Sequence, residues 1–537
     1  MTGNRGAMVA LGLMITFFVV ATVVWVNIDS VPPLWDQAQY LQESEILYHT
    51  LRHRGPVAFL SAFSETLKIK APLITALPLP FYFLLGEGHL SARYVNVVFI
   101  VLASWYLFRL GEMLVGRRAA LLSVVLLNTF PLVAGMSRQF LVEYGLMTLV
   151  IIWMYYLVRW QRGEEKRSSW ALGITLGLGM LMKVTFPLYV AVPTALALTQ
   201  KALRQRSLRQ TLLPSLARVA AVAIPIAGIW YFKNWSSVGG FVMKAGYGEW
   251  AHAFGKGSVF SLRTVGAYWL DLINFGLGGY GFLLLVIVAC WVGFWLRRSE
   301  NRLDVAGGDF FLLMAWWIVP WLALTFAVSK DVRFSMPYLP ALALLIGAGC
   351  MGIARRRRLG MAGLGLIAAL TLFNYMYYSF AARPGGIELR AAGLILISGG
   401  LSWARPPTAE HWPNEDIVVM VAADAAQRGV ARPTATVMFS YPQLNSHNLN
   451  YLAALRESAV RFNHFWSPAT ESPSEFALRV RKQSNYLLTK SGLPGKGLVN
   501  EKSAEALGLL HEGGLPFDRI GAVRLPDQSE VTVFRRK

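Results

Sequence analysis

Runs of predominantly apolar residues fall at 8–26, 92–114, 119–135, 144–160, 169–182, 184–200, 217–235, 278–296, 310–328, 334–352 and 360–380. A helix needs roughly 20 apolar residues to cross a bilayer, so this pattern predicts an α-helical polytopic membrane protein with about eleven transmembrane helices. One further stretch, 71–86, is short, carries Pro72, Pro78 and Pro80, and lacks a basic flank. Proline interrupts helices and short apolar helices lodge at interfaces, so this stretch is predicted to lie along the outer membrane surface. The pattern changes after residue 383. "ARPPTAEHWPNED" is a Pro-rich hinge and no later run is long enough to span. Short alternating runs, "TATVMFS", "AVRFNHF", "NYLLT" and "RIGAVRL", are interleaved with helix-like "HNLNYLAALRES" and "SEFALRVRKQ". They predict a small soluble α/β domain over 383–537 behind a transmembrane domain over 1–382.

Composition agrees with the pattern: of 537 residues, 55% are hydrophobic and 15% charged, far too apolar for a soluble protein. The net charge of +21 would suggest nucleic acid in a soluble domain. Here the basic residues cluster between apolar runs, at Arg117-Arg118, Arg159 to Arg167, Lys201 to Arg209, Arg297 to Arg302 and Arg355 to Arg358. Such clusters mark cytoplasmic loops, and a nucleic-acid partner is set aside. The expected topology has a cytoplasmic N-terminus and an extracytoplasmic C-terminal domain. Met8–Val26 is longer than a signal-peptide core and has no small-x-small site at its end, so a retained first helix is expected. Cys290 and Cys350 lie inside apolar runs without metal-ligand spacing and are expected to be small core residues.

With this topology few charges remain at the outer ends of the helices. The first outer segment, "VPPLWDQAQYLQESEILYHT", presents Asp36 and then a helix facing Asp36, Tyr40 and Glu43. Shorter turns hold Arg138 and Glu143 in "GMSRQFLVEYG", Lys183 in "LMKVTFP", and Lys330, Asp331 and Arg333 in "SKDVRFSMP". Charges at membrane depth are costly unless paired or used. Each of these has a plain reading too, a snorkelling helix-end residue or, for Asp36, an N-cap. Together, carboxylates and cations at a lipid boundary suit transfer chemistry on a lipid phosphate. A carboxylate takes the proton of an attacking hydroxyl, while Lys and Arg stabilise charge on a departing phosphate.

The segments "LWDQAQY", "KAPL", "SARYVNVV", "GRRAALLSVVLLNTFPLVAGMSRQFLVEYGLM" and "KDVRFSMPYLPALALL", in that order, resemble the GT-C superfamily of polyprenyl-phosphate-sugar-dependent glycosyltransferases. The similarity is to the branch with the aminoarabinose lipid A transferases and protein O-mannosyltransferases, and covers most of 1–380. It implies a GT-C fold with outer juxtamembrane helices. It also implies inverting transfer of a sugar from a polyprenyl-phosphate donor to a lipid, glycan or protein acceptor at the outer face of a bacterial inner membrane. The resemblance carries the catalytic base onto Asp36, the acid of the second outer loop onto Glu143 and the lipid-phosphate lysine onto Lys70. It leaves Arg138, Lys183, Arg333 and Tyr40 as the expected donor-binding set, with Arg333 first for its fork-like phosphate geometry. "KAPL" stands where a Lys-Pro-Pro-Leu run is common. The single Glu143 replaces a two-acid motif, so no cofactor is expected and a divalent ion is not favoured. A lipid or glycan transporter or flippase is the alternative, but its two similar halves and midplane charges are not visible in the chain.

Three weaker features complete the reading. Glu45, His49 and His53 fall four apart and share one helix face, a metal constellation or a solvated interfacial helix. Residues 236–257 read as a mobile outer loop able to gate the acceptor, or as a passive connector. In "YPQLNSHNLNYLAAL", Ser446 or Asn448 is expected to cap a helix.

Overall fold

A computed structural model describes residues 2–204, 208–247, 260–296, 307–328, 330–354, 358–381, 386–463, 471–492, 505, 507–513 and 516–537. Contacts divide the chain into two compact units. The first comprises Met1–Val26, Ser61–Ile74 and Arg93–Pro407, the second Asn27–Leu60, Thr75–Ala92 and Thr408–Lys537. The compositional break at 383 and the contact break after Pro407 therefore differ, because the hairpin β1 (Leu389–Ala391) and β2 (Leu394–Ile397) packs within the first unit.

The first unit is helical, as a chain without water to satisfy its backbone must be. Among the described residues six helices are long and apolar enough to cross a membrane: Arg5–Ile28, His89–Leu114, Val142–Gln161, Leu212–Lys244, Gly308–Thr325 and Val332–Ala354. A seventh arises if Leu262–Leu277 and Gly279–Cys290, bent by 101°, form one span. That is fewer than the eleven expected, although every predicted run is helical. Broken continuity accounts for one of the missing spans: the run 119–135 breaks into Arg117–Thr129 and Pro131–Met136 because Phe130, ahead of a proline, is extended (φ −62°, ψ 130°). The run 334–352 opens as a 3₁₀ turn, Val332–Tyr338, becomes α-helical at Leu339, and still counts among the six. The expected loop at 236–257 is helix as far as Tyr247, the end of the 40-residue helix from Leu208; 248–257 lies outside the described residues. Small residues bring helices close. A Cβ at Gly347 would lie 2.8 Å from the Ala119 carbonyl oxygen, so only glycine lets Leu339–Ala354 rest on Arg117–Thr129.

The second unit is built on five strands: β3 (Thr434–Val437), β4 (Arg461–Asn463), β5 (Tyr486–Lys490), β6 (Phe517–Arg524) and β7 (Glu530–Arg536), in the order β4-β3-β5-β7-β6. β4, β3 and β5 are parallel, so each connection needs a crossover, supplied by helices Ser446–Leu455 and Pro473–Gln483. β7 and β6 add as an antiparallel hairpin. Alternation assigns the faces. Tyr486 and Leu488 join Ile417, Val421 and Leu449 in one core, and Leu487 joins Phe476, Val480 and Leu510 in the other. All four strands expected from sequence are present; β7 and the helix Asn414–Gln427 are additional. The expected caps are replaced by Asn445, whose side chain accepts from the His447 (2.9 Å) and Asn448 (3.3 Å) amides.

The helix Trp35–Glu65 bears Asp36. Gly55 (φ 78°) and Pro56 kink it, a conformation that L side chains resist. Within the second unit its start is held by the chain around 408. Ser30 N–H donates to the Thr408 carbonyl (2.9 Å), and the Asn448 side-chain amide donates to the Pro33 carbonyl.

Candidate functional site

In the first unit Glu143 occupies the first turn of helix Val142–Gln161, where unpaired amides and the helix dipole favour a carboxylate. Lys183 follows the last residue of helix Glu165–Met182 in extended conformation (φ −159°, ψ 134°), which turns its side chain away from that helix. The two meet: Lys183 Nζ donates to Glu143 Oε1 at 3.0 Å, with both side chains largely buried. Glu143 Oε2 is buried and makes no hydrogen bond. The ammonium also lies 4.3 Å from the centroid of Phe334, whose carbonyl accepts from the Tyr189 hydroxyl at 2.8 Å.

Phe334 sits in the 3₁₀ turn that Asp331 caps by accepting the Arg333 amide (2.9 Å). Arg333 Nε donates to Asp331 Oδ2 at 2.7 Å, and the guanidinium stacks 5.4 Å from the Trp403 ring. Burial alone would raise the Asp331 carboxyl. The charge and hydrogen bonds of Arg333, with a smaller contribution from Lys183, overcome it and hold the group below its ordinary value. Glu143, Lys183, Asp331 and Arg333 thus form one electrostatic cluster. Two buried or half-buried cations, each paired with a carboxylate, suit a site that takes a phosphate.

Arg138 lies elsewhere in the unit. It is fully buried, its guanidinium 5.2 Å from the Trp25 ring and 5.5 Å from Tyr375, and it donates to the Ser379 hydroxyl. Its Nε and Nη1 make no hydrogen bonds. None of these neighbours is a residue expected at the site.

Lys70 ends the irregular segment 66–70, in which Leu67 (φ 62°) and Lys68 (φ 47°) hold left-handed backbone, unusual for such side chains. Such strain needs bracing. Helix Leu208–Tyr247 supplies it: Trp230 donates to the Thr66 carbonyl (2.8 Å), Asn234 to the Ser64 carbonyl (2.8 Å) and Lys233 to the Ser64 hydroxyl (2.9 Å). Sequence reasoning missed these three, which lie more than 150 positions from the segment they hold. Trp230→Phe keeps the ring but loses the bond to Thr66; we expect about 1 kcal/mol lower stability, measured by thermal unfolding.

Asp36 and Tyr40 belong to the second unit. The helix opens at Trp35, and the Leu34 carbonyl accepts the amides of Gln37 (2.7 Å) and Ala38 (3.3 Å), so Asp36 is inside the first turn and is not the N-cap. Asp36 is half-buried and Tyr40 buried. Glu43, two turns on, has its carboxyl raised by burial.

These features fit a known class. The model for the dolichyl-phosphate-mannose-protein mannosyltransferase family matches residues 70–231. In structure the chain is similar to ArnT from Cupriavidus metallidurans bound to undecaprenyl phosphate, with a TM-score of 0.58, 14% identity and 97% of both chains covered. The apo state of that protein gives a TM-score of 0.57 over 99% of this chain and 98% of its own. The chain therefore shares the fold of that protein, in keeping with the sequence resemblance. In sequence it is 24% identical over 359 residues to the undecaprenyl phosphate-alpha-4-amino-4-deoxy-L-arabinose arabinosyl transferase of Pectobacterium atrosepticum, covering 60% of this chain and 58% of the relative. The protein of the same description from Pectobacterium carotovorum subsp. carotovorum is 25% identical over 345 residues, 59% of this chain and 56% of its own. The chain thus spans rather more than half the length of the curated relatives it matches.

Proposed function

We propose that this chain is an integral-membrane glycosyltransferase that moves a sugar from a polyprenyl-phosphate carrier to a lipid, glycan or protein acceptor at the outer face of the inner membrane, with inversion. The N-terminus is cytoplasmic in this reading and the second unit extracytoplasmic. Lys183 and Arg333 bind the donor phosphate and stabilise the charge that grows on it as the glycosidic bond breaks, with Lys70 as a further phosphate ligand. Asp36 accepts the acceptor's proton, Tyr40 contributes to substrate binding on the same helix, and Glu143 orients Lys183. A polyprenyl phosphate leaves as a stable anion, so the reaction needs cations at the phosphate more than an acid.

The observation that supports this reading best is the paired cluster of Glu143, Lys183, Asp331 and Arg333 at helix ends in a GT-C fold. The test is mass spectrometry of envelope lipids and glycans from cells with and without the intact protein. Loss of a single sugar mass from one component is expected and names donor and acceptor together. Unchanged envelope components, with altered sidedness of a lipid-linked sugar, would instead indicate a flippase. Arg333→Lys preserves charge but gives up the planar fork that grips Asp331 and stacks on Trp403. We expect a tenfold or larger rise in donor KM in detergent assays; unchanged donor affinity would move the phosphate contact to another residue.

A further inference from the structure

Outside that cluster, the second unit gathers Glu45 and His49 from helix Trp35–Glu65 with Glu87 from the loop before His89. One ligand atom from each lies within 4.8 Å of the others. We propose that Glu45, His49 and Glu87 form a binding site for one divalent transition metal of the zinc class, which ties the helix to that loop.

Three observations carry this. First, the carboxylates are oriented alike. Glu45 accepts the Gly88 amide through Oε1 at 3.1 Å and Glu87 pairs with Arg52 through Oε1 at 3.3 Å, which leaves Oε2 of each for a ligand. Held first-sphere carboxylates of this kind are what metal sites use. Second, Glu45 is completely buried and its Oε2 makes no hydrogen bond; neither do the two buried ring nitrogens of His49. A bound cation would satisfy a buried carboxylate oxygen that no donor reaches. Third, His49 Nε2 stands 3.3 Å from Glu87 Oε2. Tetrahedral zinc with bonds of about 2.0–2.1 Å sets neighbouring ligand atoms about 3.3 Å apart.

The chemistry chooses the metal. An imidazole with two carboxylates suits zinc and its neighbours, whereas magnesium and calcium take oxygen alone. Two carboxylates also cancel the charge of one divalent ion. His53 and Glu457 lie outward. Glu457 Oε1 is 3.6 Å from His49 Nδ1 and 3.5 Å from His53 Nε2, so Glu457 faces the ring nitrogen that the metal leaves free. His53, 51% exposed, is a neighbour and not a ligand in this proposal.

The experiment uses the full chain in detergent, stripped with EDTA and titrated with zinc chloride by calorimetry, beside elemental analysis of the protein as isolated. One zinc per chain is expected, with binding lost in His49→Ala, weakened at least tenfold in Glu45→Gln and Glu87→Gln, and within threefold of wild type in His53→Ala. Absence of saturable zinc binding by the wild type overturns the site. So does zinc binding lost in His53→Ala but kept in Glu45→Gln, which would move the ion to His49, His53 and Glu457. Should Glu45→Gln fail to fold, Glu87→Gln at the more exposed ligand carries the test. Because the readout is metal, failure here leaves the transferase reading untouched, and failure of that reading leaves this site untouched.

Discussion

Asp36→Asn is expected to remove sugar transfer while the protein stays folded. General base catalysis contributes about 10²–10⁴-fold, so turnover should fall by at least two orders of magnitude. The stability side is small. The helix is opened by the Leu34 carbonyl and Asp36 lies within its first turn, so the isosteric amide keeps the side chain's shape and gives up a favourable charge near the N-terminus. That interaction is worth about 0.3–1 kcal/mol. Thermal unfolding of the purified variant should therefore shift by a few degrees at most, while transfer from a lipid-linked donor disappears. Turnover within tenfold of wild type would remove the base assignment. Glu43 would then be the next candidate, since burial raises its carboxyl toward the range in which a base is useful.

The helices were readable because the membrane forces apolar residues into long runs, and the soluble sheet because its strands alternate. What escaped has physical reasons. Phe130 is itself apolar, so hydropathy passes over a break made by the conformation required before Pro131. Residues 236–247 look like a loop because of Gly239 and Gly240, yet they continue a helix whose earlier turns are braced through Trp230, Lys233 and Asn234. Asn445 outcompeted Ser446 as a cap by one position, within the usual error of reading a helix start. At the site, residue types were legible and partnerships were not. Asp331 and Arg333 are two apart and their pairing is local, but Glu143 meets Lys183 across 40 positions and Arg138 meets Ser379 across 241. Charge scarcity says that these residues have partners, and only the packed helices say which.

The Glu143–Lys183 pair separates structure from chemistry most sharply. Lys183→Met should lower stability by about 3–5 kcal/mol, because a carboxylate with 4% side-chain exposure loses the one cation that hydrogen-bonds it among the described residues and already has one oxygen unsatisfied there. Adding Glu143→Gln should recover most of that stability, since a neutral amide needs no counterion. Activity should behave differently. If Lys183 holds the donor phosphate, the double variant refolds to near wild-type stability and still transfers at least a hundredfold more slowly. Glu143→Gln alone would keep the lysine and lose only its orientation, giving a smaller defect concentrated in KM. Thermal unfolding and initial rates across the four proteins of the cycle measure both quantities at once. Recovery of transfer together with stability in the double variant would make the pair a buried ion pair of the bundle and leave Arg333 and Lys70 as the phosphate ligands.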